Sequence, residues 1–420
     1  MMTQAMTLSP RIRKLMDDGV TIPAPWSIEI GDDVDLDRIA RKYMTFHSGT
    51  KIFGKQTSIG PGTVLGREAP VTIDNCQVGT QVELKGGYFT NAVFFDRSNM
   101  GSGSHVRDAC ILEEEANGAH TVGLKQTILF PFVTLGSLIN FCDCFMSGGT
   151  SRRNHSEVGS SYIHFNYTPN QDKATASLIG DVPRGVMLNQ PPIFLGGQGG
   201  LVGPVQVGYG TVTAAGTILK ESCHAGGMLI TSSPSSSSDK AFHPGFYGGI
   251  RMKVVNNLHY IANLIALQEW YTHVRKLFLT KDPHGQALYE GAVAKLTMAL
   301  DERIKRFEKL VEKMETSLVI AEKILKKPAD AQLLTQQREL LAQWPAVKKR
   351  LTEGREKRTG IEERTAFLAM FEKHCTKNDT DYITAVQSLD GHVSTVGTSW
   401  LQEIIDDLVA AALTEMPSFL

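Results

Sequence analysis

The chain has 420 residues, a formal net charge of −1 and 42% hydrophobic residues. This length allows two or three domains with a large core. The near-neutral charge provides no field that would attract nucleic acid or an anionic membrane surface, so neither is expected as a partner. No apolar run is long enough to span a membrane, and the N-terminal residues lack the apolar core of a signal peptide. These properties predict a cytoplasmic protein.

Glycine and charge are unevenly distributed along the chain. The glycines are concentrated before Gly249, whereas the charged residues are concentrated after Arg251. This asymmetry predicts a domain boundary near residue 250. The predicted units are an N-terminal cap at 1–48, a β-domain at 49–231, a Ser/Gly-rich linker at 232–249 and an α-helical domain at 250–420.

The six cysteines do not show paired CxxC spacing, which argues against a structural zinc site. Cys142 and Cys144 flank Asp143, a pattern that can indicate a metal or redox site. We interpret them as reduced thiols of a cytosolic protein. No metal cofactor is predicted.

Residues 1–48 are predicted to close one end of the β-domain. Ser9-Pro10 can begin a short helix, because proline is favoured in the first turn. A second helical candidate is Asp33–Tyr43. A cap of this kind would cover strand edges that otherwise remain unpaired.

From Thr50 onward, a large apolar residue followed by glycine recurs, at first every six residues. The pairs include Phe53-Gly54, Ile59-Gly60, Leu65-Gly66, Val78-Gly79, Met100-Gly101, Val122-Gly123, Leu135-Gly136, Val158-Gly159, Ile179-Gly180, Leu195-Gly196, Val202-Gly203 and Val207-Gly208. Six residues form one side of a triangular coil, and about three sides close one turn. The chain is therefore predicted to be mainly β with α, with a parallel β-helix of hexapeptide repeats and loops at its corners. The charge run Glu113–Glu115 is interpreted as a solvated corner loop.

The Ser-rich run Ser232–Ser238 is predicted to be a linker or a mobile loop. After Arg251 the apolar period becomes helical, and it predicts a coiled-coil-like helix over Glu290–Lys327, about 55 Å long at roughly 1.5 Å per residue. An antiparallel return helix is predicted over Ala331–Arg350. The apolar seam can be satisfied within one chain or between chains, and its spacing does not distinguish the two.

Three blocks of the β-domain resemble a known enzyme family. They are Leu135–Gly159, Asn166-Tyr167 followed by Lys173, and Val202–Thr217. They resemble the acetyltransferase half of the bifunctional UDP-N-acetylglucosamine pyrophosphorylase/glucosamine-1-phosphate N-acetyltransferase. The resemblance covers about residues 50–225. It implies a left-handed β-helix, a homotrimer, and acetyl-CoA as co-substrate in a groove between neighbouring subunits.

The resemblance also assigns a catalytic base. His155 matches the general base, which would take a proton from the sugar ammonium as its nitrogen attacks the thioester. His164 is a rival for this role. Arg152 and Arg153 precede His155 and could bind a phosphate or the pyrophosphate of CoA.

The remaining matches concern binding. Asn166 and Tyr167 match residues that hold the sugar and the base, and Lys173 matches a lysine that contacts phosphate. Gly197 and Ala215 fall where small residues line the acetyl-CoA groove, and a backbone N–H beside Gly197 could stabilise the oxyanion.

The chain departs from the family pattern at several points. Asp143 stands where the family has a lysine twelve residues before the base, and the insert Asp181–Pro192 has no counterpart. The nucleotide-binding pyrophosphorylase half also has no counterpart.

Three functional hypotheses follow. The first is a transferase, an acyl-CoA-dependent N-acetyltransferase that acts on an amino-sugar phosphate or nucleotide sugar and is related to UDP-N-acetylglucosamine synthesis. The alternative is a catalytically lapsed β-helix that binds sugar nucleotides or serves as a scaffold, with a helical interaction arm. The least supported is a UDP-N-acetylglucosamine pyrophosphorylase.

Overall fold

The computed structural model describes residues 8–231, 241–328, 331–356, 359–377 and 380–420. It is a β-solenoid of parallel strands followed by several packed helices. The predicted fold class, mainly β with a C-terminal helical region, is confirmed. The first half of the predicted Ser/Gly-rich linker, 232–240, with its Ser-rich run, lies outside the described residues. The predicted domain limits remain predictions.

The strands are short, as expected for hexapeptide coils. In chain order they are β1 Glu29–Ile30, β2 Thr45–Phe46, β3 Lys51–Phe53, β4 Ser58–Ile59, β5 Val64–Leu65, β6 Val71–Asp74, β7 Gln77–Val78, β8 Glu83–Leu84, β9 Gly87–Thr90, β10 Ala92–Phe94, β11 Asn99–Met100, β12 Ser104–Arg107, β13 Cys110–Leu112, β14 Asn117–Gly118, β15 Val122–Leu129, β16 Thr134–Leu135, β17 Ile139–Met146, β18 Gly149–Ser151, β19 Asn154–His155, β20 Glu157–Val158, β21 Tyr162–Phe165, β22 Ser177–Ile179, β23 Phe194–Leu195, β24 Gly200–Val202, β25 Gln206–Val207, β26 Val212–Thr213, β27 Ile218–Leu219 and β28 Leu229–Ile230.

These strands form three faces of a prism. Face A is a ten-stranded sheet of β2, β5, β8, β11, β14, β16, β20, β23, β26 and β28. Face B contains β1, β3, β6, β9, β12, the first halves of β15 and β17, β21, β24 and β27, and face C contains β4, β7, β10, β13, the second halves of β15 and β17, β22 and β25. The chain passes from B to C to A in every coil. The prism therefore has three corners, named here A/B, B/C and C/A.

The B/C corner is tight because a single residue often makes the turn there. The corner residues have left-handed backbone conformations with φ between 47° and 62°: Asn75, Asn91, Ala109, Gln126 and Asp143. Asn and Asp tolerate this conformation better than most residues, which explains why three of these five corner residues are Asn or Asp. The inward apolar residues of the repeat form the core of the prism.

The N-terminal residues extend the coil stack. Thr21 pairs with Thr45, β1 pairs with β3, and Ile39 pairs with Ile59. The helix α1, Pro10–Asp17, begins at a proline as expected and buries Ile12 and Leu15 against the core.

The helices cover one face of the prism. In chain order after α1 they are α2 Val182–Gly185, α3 Arg251–Trp270, α4 Lys276–Leu279, α5 Pro283–Glu312, α6 Met314–Val319, α7 Gln332–Glu353, α8 Ile361–Lys377, α9 Tyr382–Gln387 and α10 Gly391–Thr414, with π-helical turns at Tyr271–Arg275 and Ile320–Ile324 and 3₁₀ turns at Pro25–Ser27, Leu36–Arg38 and Pro417–Phe419. Helix α5 packs against β4, β7, β10 and β13, and α3 packs against β22. All three residues of β10 are consequently buried, which a strand with one solvated face would not show.

The apolar seam of α5 packs against other helices of the same chain, α3 and α7. Leu296, Leu300, Phe307 and Leu310 are each fully buried. Helix α5 begins at Pro283, earlier than predicted, because the side chain of Asp282 caps it by accepting from two backbone N–H groups. None of the described helices is long and apolar enough to cross a membrane.

Candidate functional site

The predicted site residues lie on three different corners. His155 lies in β19, within the hairpin of β18 and β19 that projects from the C/A corner. Asn166 and Lys173 lie in the loop at the B/C corner, between β21 and β22. Gly197 and Ala215 lie at the A/B corner. Within one chain, the prism therefore separates the predicted base, acceptor loop and acetyl-CoA groove from one another.

His155 is held by its own hairpin. Its Nδ1 lies 2.9 Å from the carbonyl oxygen of Arg152, and its Nε2 lies 3.4 Å from a carboxylate oxygen of Glu157. A carbonyl can only accept, so Nδ1 carries the proton and Nε2 is the basic nitrogen of the neutral ring. The side chain is 20% exposed, so a ligand can reach it.

The two arginines before His155 differ in availability. Arg152 donates through Nη1 to the carbonyl oxygens of Glu115 and Phe132 and to the hydroxyl of Thr134. These contacts tie the hairpin to the preceding coils. Arg153 is exposed, so it is the more accessible of the two for an anion.

His164 lies inside the solenoid. It is 2% exposed, Nδ1 lies 2.5 Å from the carbonyl oxygen of Cys142, and Nε2 lies 2.8 Å from the hydroxyl of Ser177. Burial lowers the pKa of His164 to about 4, against a smaller opposing effect of Asp143. The alternation in β21 carries this signal, because Tyr162 and His164 are buried while the residues between and after them are exposed.

The B/C loop combines an exposed aromatic residue with a cation. Tyr167 is 58% exposed, and the ammonium of Lys173 lies 5.8 Å from its ring centroid. The base of the loop is anchored by Asp172, whose carboxylate accepts from Tyr247 at 2.9 Å and Lys253 at 3.2 Å. The carboxylate of Asp172 has a lowered pKa because the ammonium of Lys253 and three hydrogen bonds outweigh the effect of burial.

Asp143, the residue that replaces the lysine of the family, is buried and ion-paired. Arg303 of α5 donates to it at 2.6 Å, and Asn166 donates to its other oxygen at 3.0 Å. Sequence reasoning missed Arg303, because it lies 160 residues from Asp143 within a regular helical pattern.

The small residues of the A/B corner are required by the coil stack itself. A Cβ atom on Gly197 would lie 2.7 Å from the carbonyl oxygen of Ser160, and one on Gly196 would lie 2.6 Å from the backbone N of Ala215. Ala215 is exposed. The corner is therefore open to solvent with its backbone accessible, which suits the close approach of a ligand. On the same corner, the hydroxyl of Ser137 lies 2.9 Å from Nδ1 of His120.

The insert Asp181–Pro192 docks the C-terminal helices. It contains α2, which packs against α3 and α10. The backbone N–H of Val182 donates to Asn263, and the carbonyl of Pro183 accepts from Thr398. The insert leaves the C/A corner, so it does not enter the B/C loop.

The interpretation of Glu113–Glu115 as a solvated loop is wrong for its first two residues. Glu113 and Glu114 are 2% and 8% exposed. Glu113 accepts from the hydroxyl of Tyr271 at 2.5 Å, and Glu114 accepts from Arg275 at 2.7 Å. The π-helical turn between α3 and α4 supplies both partners, and such turns are frequently found where a helix presents special side chains.

No group of three or more His, Cys, Asp or Glu side chains in the described part of the chain is arranged to hold a metal ion. The six cysteines, all within the described residues, are free thiols.

The chain matches no protein-family model. It is similar to curated proteins named bifunctional protein GlmU. Identity is 24% over 213 residues with that of Thermotoga sp. strain RQ2, covering 50% of this chain and 42% of the relative. It is 27% over 212 residues for Fervidobacterium nodosum, covering 50% and 41%, and 26% over 228 residues for Synechococcus elongatus, covering 54% and 45%. The chain thus spans less than half the length of the curated relatives it matches. The solenoid and these matches fit a hexapeptide-repeat acetyltransferase that resembles the acetyltransferase half of the bifunctional protein GlmU.

Proposed function

We propose that the chain is an acyl-CoA-dependent N-acetyltransferase that acts on an amino-sugar phosphate or a nucleotide sugar, with a role related to UDP-N-acetylglucosamine synthesis. The similarity to GlmU over half of the chain, on a solenoid with an open glycine-rich corner, is the observation that carries the proposal. Acetyl-CoA is the proposed co-substrate.

The proposed reaction assigns a role to each corner. His155 takes a proton from the acceptor ammonium through Nε2, and the resulting amine attacks the thioester carbonyl. A C–N bond forms, the C–S bond breaks, and CoA leaves as a thiol after it has gained a proton. Asn166, Tyr167 and Lys173 hold the acceptor, and the A/B corner at Gly197 and Ala215 holds the acetyl-CoA arm.

The separation of the three corners requires the proposed site to be shared between subunits. Two faces of the prism are open and carry exposed apolar residues in the same C-terminal coils. On face A these are Phe194, Val212 and Leu229, and on face B they are Ile163, Phe165, Val202 and Ile218. These two faces meet at the A/B corner, so we propose that second and third copies of the chain cover them in a homotrimer.

The first experiment measures CoA release from acetyl-CoA with glucosamine 1-phosphate and other amino sugars. We expect acceptor-dependent release that His155→Ala lowers by about a hundredfold or more, the usual contribution of a general base. His284→Ala is the matched control, because His284 lies in the first turn of α5, beside Ser58 of β4 on face C. Full turnover in His155→Ala would remove the assigned role of His155.

A second experiment tests the shared site. Chains with His155→Ala and chains with Asn166→Ala are each expected to have low activity alone at an acceptor concentration well below the KM. Co-expression of the two should restore a fraction of the activity, because some interfaces then contain both native residues. Absence of any recovery from a mixed trimer would contradict a site built from two subunits.

The alternative is a binding protein that has lost catalysis. The observation that favours it is the replacement of the family's lysine by Asp143, which is buried and tied to Arg303. Saturable binding of UDP-N-acetylglucosamine without turnover of any acceptor would support this alternative, and acceptor-dependent CoA release would contradict it. The pyrophosphorylase hypothesis has no supporting structural element among the described residues, which form a solenoid and packed helices.

A further inference from the structure

A hydrogen-bonded network connects helix α5 to two residues of the B/C loop, Asn166 and Lys173. Arg303 is 2% exposed, and its Nη2 donates to Oδ1 of Asp143 at 2.6 Å. Its Nη1 donates to the carbonyl oxygen of Lys173 at 3.3 Å. The other oxygen of Asp143 accepts from Nδ2 of Asn166 at 3.0 Å. One buried arginine therefore holds the first residue of the loop through a carboxylate, and it holds Lys173, farther along the loop, directly.

The same hydrogen bonds fix the orientation of the Asn166 carboxamide. An ion-paired carboxylate can only accept hydrogen bonds, so only the NH₂ group of Asn166 can face Asp143. The amide oxygen is then directed away from Asp143, and it has no hydrogen-bond partner among the described residues. An oxygen presented in this way accepts from a hydroxyl or an ammonium and is unfavourable next to a phosphate.

We propose that Arg303 is a positioning residue for acceptor binding, acting through Asp143 to present the carboxamide oxygen of Asn166 to a hydrogen-bond donor of the acceptor. The inference rests on the proposed function, since it takes the B/C loop as the acceptor site. It assigns Asn166 to a hydroxyl or ammonium group of an amino sugar, and it leaves the phosphate to Lys173. The helical domain is then part of the acceptor site.

The test uses full-length variants and two independent readouts. Asp143→Asn can donate as well as accept, so the Asn166 carboxamide is no longer held in one orientation. We expect the KM for glucosamine 1-phosphate to rise about tenfold, as for the loss of one hydrogen bond to a charged group, while kcat and the KM for acetyl-CoA stay within about twofold. Arg303→Lys keeps one hydrogen-bond donor toward Asp143, so its KM for glucosamine 1-phosphate should rise less than that of Arg303→Met.

Hydrogen exchange of the amides of residues 166–173 is the second readout, and it does not depend on turnover. Arg303→Met should accelerate exchange in this loop by about tenfold or more, because opening is no longer opposed by the buried pair. If this variant does not fold, the double variant Arg303→Met/Asp143→Asn avoids an unpaired buried charge and replaces it. Arg306→Met is the matched control, since Arg306 lies on the same helix in a more exposed pair with Glu302.

The two readouts separate failure of the inference from failure of the proposed function. Unchanged exchange in the loop and an unchanged acceptor KM would overturn the role of Arg303. If the wild-type chain releases no CoA with any acceptor, the proposed function fails. Exchange then decides alone whether Arg303 holds the loop, and an unchanged rate overturns the positioning role.

Discussion

Faces A and C both carry outward apolar residues, but these residues are buried on face C and exposed on face A. The outward residues of face C are apolar through five successive coils: Val93, Ile111, Ile128, Phe145 and Leu178. All of them are at most 3% exposed, because helices of the same chain pack over them. The outward residues of face A are polar in the middle coils and apolar in the last three, Phe194, Val212 and Leu229, which are 37–69% exposed. An apolar outward ladder thus predicts a partner without indicating whether the partner is the same chain.

The covered face also differs in its charges. Arg275 and Arg303 reach the solenoid from the helices and are almost fully buried with their carboxylate partners. The pair of Arg97 with Glu115, at the same C/A corner as Glu114, is more exposed, with 50% of the arginine and 22% of the glutamate side chain accessible. Buried pairs with one partner removed are costly, whereas exposed pairs contribute little.

The largest effect is expected for Arg275→Met. Arg275 is fully buried against Glu113 and Glu114, so its removal leaves two acidic groups buried without a cation. We expect a loss of about 3–5 kcal/mol in the free energy of unfolding, measured by urea denaturation. The exposed control Arg97→Met should change it by less than about 1 kcal/mol. Equal effects of the two variants would remove the contrast between buried and exposed ion pairs.

The next effect compares outward aliphatic residues on the two faces. Ile111→Ala on face C should destabilise the chain by about 2–5 kcal/mol, because it leaves a cavity under α5. Val212→Ala on face A should change the unfolding free energy of the isolated chain by about 0.5 kcal/mol or less. Urea denaturation of dilute protein measures both. A small effect at Ile111 would mean that the helices are only loosely packed on face C.

A pH dependence of stability is expected from Glu113, which is buried at the C/A corner. Burial raises the pKa of Glu113 from its usual value near 4.5 to about 7, although Arg275 opposes this. The folded chain therefore binds a proton between these values that the unfolded chain has released. Stability should fall as the pH rises from about 4.5 to 7, by at most about 3 kcal/mol.

The variant Glu113→Gln is neutral at every pH and should lose this contribution. Unfolding free energies at pH 5 and pH 8 for the two proteins provide the comparison. The same decline in Glu113→Gln would assign the pH dependence to other groups.

The smallest effect on folding, with a large effect on assembly, is expected for Phe194→Asp. Phe194 is 40% exposed on face A, so an aspartate there should lower the unfolding free energy by only about 0.5 kcal/mol. In the proposed trimer it would place an unpaired charge in an apolar interface and prevent association. Sedimentation velocity should show a trimer for the wild type and a monomer for the variant. A monomeric wild type would contradict the proposed assembly.

Part of the site could be predicted from the residues alone. The coil stack follows from the six-residue spacing, whereas Gly197 and Ala215 are singled out only by the family resemblance. The inward position of His164 could also have been recognised, because Tyr162 to Phe165 alternates in a strand. The burial of Glu113 could not be predicted, because a run of three acidic residues is typical of a solvated loop unless its partners are known.

The solenoid can be predicted from the residues, since each coil is specified by a local pattern of an inward apolar residue and a small corner residue. The helical period after Arg251 likewise predicts that several helices follow. The face that these helices cover and the carboxylates that they neutralise are known only from the fold. The pairs of Arg275 with Glu114 and of Arg303 with Asp143 join residues about 160 positions apart. Such contacts depend on how a helix docks against the prism, and no local period specifies that geometry.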